Sequence, residues 1–291
     1  MSTLRLEFDI GLNLHDPADD DSLLPIVLHR LTSSGESPDD PSLSETFYMR
    51  QGNRIHRGRA AHVWAGKMQK GDGRLIDIVL KITIGRDRHV DLIKEANFYQ
   101  NELAAVQGNI VPRFYGIFQG HIRTLLMTCM VLEHCGEHMT KAQHEDMDFK
   151  VELISRLGYL HSICGVEHGD VCSSNILVKD GFPVIIDFEC AQPHRCERKM
   201  TIEVGKPWPP VLDFGCFELY DVARDFELWG PAIVEFLDDC ISVRQITSAK
   251  QLVDLTLHND YTDRAKALED AQELVQYLVG MGTLPESVLM D

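Results

Sequence analysis

Residues 166–190 read VEHGDVCSSNILVKDGFPVIIDFEC. Asp170 closes a His-Gly-Asp turn, Asn175 follows five residues later, and Asp187 comes twelve residues after that, behind the run Val184-Ile185-Ile186. Each polar residue has an ordinary structural explanation, as a turn cap, a loop residue and a strand end. The apolar residues between them read as a β-hairpin, with Asp180-Gly181 as its two-residue turn. The question is whether the three polar residues act independently or as one device.

Outward from this stretch the chain changes character. Upstream, 146–164 (DMDFKVELISRLGYLHSIC) places Phe149, Leu153, Leu157, Tyr159, Leu160 and Ile163 at helical spacing, ending near Gly165. Downstream, 216–237 (CFELYDVARDFELWGPAIVEFL) and 263–281 (DRAKALEDAQELVQYLVGM) are the clearest helical segments. Before residue 136 the pattern is strands and one helix. HVWAGKM (62–68) and RLIDIVLKITI (74–84) flank a Gly-rich turn, 88–106 has helix spacing, and 115–120 and 124–134 read as two further strands. Earlier still, Leu4, Leu6, Phe8, Ile10, Leu12 and Leu14 alternate as in a half-buried strand, and 32–45 (TSSGESPDDPSLSE) is a Ser/Pro/acidic linker. The expected organisation is an extension over 1–45, a β-rich part over 46–136 and a mainly helical part over 137–291.

Composition narrows the classes of function. The chain has 291 residues, 44% hydrophobic and 25% charged, as in an ordinary globular protein. Its net charge of −17 argues against nucleic acid or an anionic membrane surface as the main partner. There is no run of eighteen apolar residues and no basic-then-apolar leader, so neither a membrane span nor a signal peptide is expected. None of the eight cysteines stands in a Cys-x-x-Cys pair, and they read as reduced thiols of a cytoplasmic protein. His134, Cys135 and His138 lack the two separated ligand pairs of structural zinc and read as a connector after a strand.

Phosphoryl transfer from ATP asks for few groups: magnesium on hard oxygen ligands, a cation on the phosphates, and a carboxylate that orients or deprotonates the attacking hydroxyl. Residues 166–190 offer such a set. Asp187 is expected as the main magnesium ligand, Asn175 as the second, and Asp170 as the base.

The run HGDVCSSN followed by IDFE resembles the catalytic and metal-binding segments of the protein-kinase-like superfamily, with features of aminoglycoside phosphotransferases, choline kinases and divergent fungal-type members. The resemblance spans roughly 47–235. It implies an α+β bilobal fold with a small antiparallel β-rich lobe carrying one helix and a larger, mainly helical lobe. It also implies roles for further residues. Lys81, ending IVLK, is the phosphate-binding lysine, and Glu95 is its helix partner, with Glu102 as a competitor. Leu132 guards the adenine, and the Glu133 carbonyl and Cys135 amide bond its edge. Gly58, Ala61 and Val63 stand in a glycine-rich loop of which only Gly58 is still glycine. Asp221 or Asp225 ties down the His-Gly-Asp backbone. A literal Asp-Phe-Gly at 213–215 follows PWPP rather than a hairpin strand, and Asp213 reads as the first turn of a helix.

These readings lead to an ATP- and magnesium-dependent phosphotransferase acting on a hydroxyl, expected to be a Ser/Thr side chain of a protein. Two alternatives remain: a small-molecule kinase of the aminoglycoside or choline type, and a weakly active nucleotide-binding scaffold.

Overall fold

The computed structural model describes residues 2–7, 25–31, 46–57, 61–70, 73–122, 124–256 and 263–289. The chain divides into two compact units, one made of Met1–Met139 with Val166–Pro193, the other of Thr140–Gly165 with His194–Asp291.

In the first unit seven strands close into a barrel: β1 (Thr3–Leu6), β2 (Ile26–Arg30), β3 (Thr46–Arg57), β4 (His62–Gln69), β5 (Leu75–Ile84), β6 (Phe114–Ile122) and β7 (Leu125–Glu133). Their order around the barrel is β1-β2-β6-β7-β5-β4-β3. All neighbours are antiparallel except β1 and β3, which run parallel with Leu4 opposite Phe47 and Leu6 opposite Met49. Period-two alternation turns one face of each strand inward. Leu4, Leu6, Leu28, Met49, Met68, Leu80 and Met127 fill the interior at 1% exposure or less. The alternation expected beyond Glu7, the 32–45 linker and the tip of the β3–β4 hairpin lie outside the described residues.

One helix, α1 (Arg86–Gln100), packs against β5, β6 and β7 on the outside of the barrel. The unit is completed by β8 (Glu137–His138), β9 (Val166–Glu167), β10 (Ile176–Lys179), β11 (Phe182–Ile185) and β12 (Gln192–Pro193). β10 pairs antiparallel with both β11 and β8, and β12 pairs with β9.

The second unit holds α2 (Lys141–Glu145), α3 (Met147–Tyr159), α4 (Val211–Phe214), α5 (Phe217–Asp225), a hairpin of β13 (Ile233–Phe236) and β14 (Asp239–Ser242), α6 (Ala249–Thr256) and α7 (Arg264–Gly280). α3 opens on Asp146, whose carboxylate accepts from the amides of Asp148 and Phe149. Buried Leu252, Ala267, Ala271, Val275 and Leu278 join α6, α7 and the hairpin in one apolar cluster.

Three expectations are corrected. The small antiparallel lobe is instead a closed mixed barrel, because β1 and β2 fill the gap between β3 and β6 and so remove both sheet edges. The chain after residue 137 is not one mainly helical body: the 166–193 segment belongs with the barrel, and the second unit has its own hairpin. The bilobal kinase-like architecture is therefore not the fold of this chain. The helix expected over 216–237 stops at Asp225. Glu227 takes a positive φ of 53°, Pro231 cannot continue a helix, and the β-branched run that follows pairs as β13 through a Leu237-Asp238 turn with φ values of 51° and 65°.

Candidate functional site

Apart from Asp221 and Asp225, all described members of the expected site lie in the barrel unit. On β5, Ile78, Leu80 and Ile82 point into the barrel, so Lys81 emerges on the outer face beneath α1. On α1, Leu92, Glu95, Ala96 and Tyr99 share one buried stripe at helical spacing, which delivers Glu95 to the same place. Lys81 Nζ lies 2.7 Å from Glu95 Oε2, 2.6 Å from Asp187 Oδ1 and 3.8 Å from Glu189 Oε2. Glu95 Oε1 accepts from the Phe188 amide at 3.3 Å, so one carboxylate ties helix, strand and the residue after Asp187 together.

The hairpin β10–β11 presents Asp187. Its turn uses Asp180 at φ 52° and Gly181 at φ 85°, the left-handed pair that a two-residue hairpin favours. Past β11, the Ile186 amide donates to the Asn175 carbonyl at 3.0 Å. Asp187 then takes a left-handed conformation, φ 69° and ψ 71°, which costs a non-glycine residue about 1 kcal/mol or more. Phe188 turns inward and packs edge-on against Tyr99 and beside His168, with ring centroids at 5.5 and 4.8 Å.

Asp170 and Asn175 form a second group. Asn175 Nδ2 donates to the Asp170 carbonyl at 2.9 Å and to Asp170 Oδ2 at 3.0 Å. Both bonds use the amide nitrogen, so they leave the side-chain oxygen of Asn175 for another partner. His168 is buried; its Nε2 donates to the Ile186 carbonyl at 2.9 Å while its Nδ1 accepts from the Asp170 amide at 3.2 Å. The imidazole thus connects Asp170 to the backbone just before Asp187. Gly169 between them has φ +82°, and a Cβ there would stand 2.6 Å from the Cys190 carbonyl.

The remaining expected residues surround this arrangement. Ala61 is buried and lines a narrow crevice with Lys81, Thr83, Leu92, Glu95 and Glu189. Val63 pairs with Lys81 on one side and His56 on the other. Leu132 and Cys135 are buried, and Glu133 Oε1 accepts from Lys179 Nζ at 2.6 Å. Gly58 lies outside the described residues. Glu102 is exposed, and Glu95 takes the lysine instead. Asp213 sits in α4 of the second unit, where Asp221 and Asp225 both pair with Arg224. Sequence reading missed Glu189 and the anchoring role of His168. The nearness of Glu189 to Asp187 in the chain was the available signal.

Burial alone would lower the Lys81 ammonium, but the charges of Glu95 and Asp187 outweigh it and hold Lys81 above its ordinary value. Burial pushes the Glu95 carboxyl up against the pull of Lys81. Burial likewise pushes the Cys135 thiol up to about 12, so that side chain is inert as a nucleophile. Three carboxylates share the Lys81 ammonium, and with Arg88 and Asp91 also on the crevice the acidic groups still outnumber the basic ones. The hydroxyl of Thr83, in the same crevice, is buried and finds no hydrogen-bond partner among the described residues. A hard divalent cation suits such a donor set, and a soft one does not.

No protein-family model matches the chain, and no curated protein matches it. The resemblance of HGDVCSSN and IDFE to the protein-kinase-like superfamily is thereby left without a matching family, and the closed barrel overturns the fold it implied. Among the described residues no helix is long and apolar enough to cross a membrane.

Proposed function

We propose that this chain is an ATP- and magnesium-dependent phosphotransferase that acts on a hydroxyl, with a protein Ser/Thr side chain as the acceptor class. The reading rests on the site chemistry and not on fold. The observation that carries it is Lys81, held at 2.7 and 2.6 Å between Glu95 and Asp187. A half-buried ammonium gripped by a helix carboxylate on one side and by Asp187 on the other has the form of a phosphate anchor.

Asp187 and the side-chain oxygen of Asn175 are the residues that would hold magnesium, which supplies charge neutralisation on the transferring phosphate. Lys81 orients the phosphate oxygens, and Glu95 keeps Lys81 in place. Asp170 receives the proton of the acceptor hydroxyl as its oxygen bonds to the γ-phosphorus and the bond to the β–γ bridging oxygen breaks, releasing ADP. Asn175 and His168 fix the orientation of Asp170.

A second reading, a nucleotide-binding scaffold with little turnover, is favoured by one observation: Lys81 already occupies Asp187. Incubation with radiolabelled ATP, magnesium and a library of peptides and metabolites separates the readings. Label transfer that is lost in Asp170→Asn supports the enzyme, and transfer to metabolites alone moves the acceptor to small molecules. Magnesium-dependent ATP binding without transfer supports the scaffold. The absence of both overturns both.

A further inference from the structure

The second unit gathers His161, His194, Cys196 and Cys216 so that one ligand atom from each lies within 4.8 Å of all the others. We propose that these four residues form a structural zinc site, independent of the phosphoryl-transfer reading. Two thiols and two imidazoles are the soft N2S2 set that selects zinc over magnesium or calcium. A tetrahedral ion with metal–ligand distances of about 2.0–2.3 Å needs its ligand atoms about 3.3–3.8 Å apart. Cys216 Sγ lies 3.4 Å from His161 Nδ1, inside that range, and 3.9 Å from His194 Nε2, just beyond it; the widest pair, at up to 4.8 Å, closes by about 1 Å through side-chain rotation.

The surroundings favour a site over a chance meeting. His161 and Cys216 are buried at 1% and 3% exposure. His161 Nε2 lies 2.6 Å from Glu218 Oε2, which places the ring proton on Nε2 and leaves the Nδ1 lone pair facing Cys216. A carboxylate that orients a ligating histidine from behind is the usual outer support of a bound metal. The backbone is arranged to bring the thiols together: Lys199 N donates to the Phe214 carbonyl at 2.8 Å, folding 194–199 back onto α4. Gly215, at φ +85°, has the Glu197 carbonyl where a Cβ would stand, 2.4 Å away. That close approach sets Cys216 beside Cys196. All the cysteines are free thiols. Binding takes one Zn2+, forms two Zn–S and two Zn–N bonds, and releases the two thiol protons.

The test uses the full chain, purified with reductant, reconstituted with Zn2+ or Co2+ and then desalted. Elemental analysis is expected to give one zinc per chain. The cobalt form is expected to show tetrahedral ligand-field bands and a thiolate-to-cobalt charge-transfer band. Cys196→Ser, at a partly exposed position that tolerates the change, is expected to halve the charge-transfer band. Glu218→Gln keeps all four ligands and is expected to weaken zinc binding about 10–100-fold in competition with a chromophoric chelator. Three results overturn the proposal. The first is no retained zinc in the folded wild type. The second is a cobalt spectrum that Cys196→Ser leaves unchanged. The third is a Cys196–Cys216 disulfide forming in air with zinc present as fast as without it.

Discussion

Lys81 Nζ and Asp187 Oδ1 stand 2.6 Å apart, so the proposed phosphate anchor and the proposed metal ligand neutralise each other when no nucleotide is present. Magnesium then has to displace an ammonium to reach Asp187, and nucleotide phosphate offers that ammonium a new partner. Magnesium alone is expected to bind poorly, and magnesium with ATP well. Lys81→Met should strengthen nucleotide-free magnesium binding in calorimetry while weakening ATP. A Lys81→Met chain that binds magnesium no better than wild type removes the coupling.

Asp187→Asn is expected to abolish the magnesium-dependent rise in melting temperature on adding ATP, because it removes the charged ligand. Asp213→Asn, in α4 of the other unit, should leave that rise unchanged. The reverse pattern would mean that the metal is held at Asp213.

Asp170→Asn should reduce turnover by about 10²–10⁴-fold, the span of general-base catalysis, with ATP affinity nearly unchanged. Single-turnover kinetics and ATP titration measure the two separately. Equal losses in both would make Asp170 a structural or metal-binding residue.

Stability carried by Lys81 has a definite pH dependence. Its folded value lies above the ordinary 10.5, so the contribution is complete below 10.5 and is lost only as pH rises through the folded value. The difference in melting temperature between wild type and Lys81→Met should therefore stay constant from neutral pH up to 10.5 and shrink above it. Shrinkage that begins near neutrality would show an ammonium that is not held by its carboxylates.

Gly169→Ala should destabilise the barrel unit by about 1–3 kcal/mol, since it adds both a positive-φ penalty and a collision with the Cys190 carbonyl. Urea midpoints measure this, and an unchanged midpoint would show that the backbone there relaxes freely.

Local chemistry made much of this legible in the sequence. The Asp180-Gly181 turn names its own hairpin, period two places Lys81 on β5, and helical spacing places Glu95 on the buried stripe of α1. What was not legible is non-local. Parallel pairing of Leu4 with Phe47 leaves no mark in either segment, so a barrel read as an open sheet with an appended strand. Apolar spacing over 226–237 fits a helix, and that periodicity outweighed the contrary signal of Pro231 and the β-branched Ile233-Val234; the positive φ values of Glu227, Leu237 and Asp238 go with the hairpin. The four cysteine and histidine ligands come from three separate segments, and no pair among them has a recognisable metal-binding spacing.

Among the described residues the ladder between β2 and β6 has two residue pairs, His29 with Gln119 and Arg30 with Phe118, and the Leu31 amide extends it by donating to the Ile117 carbonyl at 2.9 Å. Every other junction between its strands is longer. This is the shortest ladder of the wall, and local opening is expected to start there, below the free energy of global unfolding. Amide exchange around 26–30 and 117–119 should run ahead of the rest of the barrel. Each opening briefly offers the bare edge of β6 to another chain, and at high concentration that route leads to domain-swapped oligomers built by exchange of the first thirty residues.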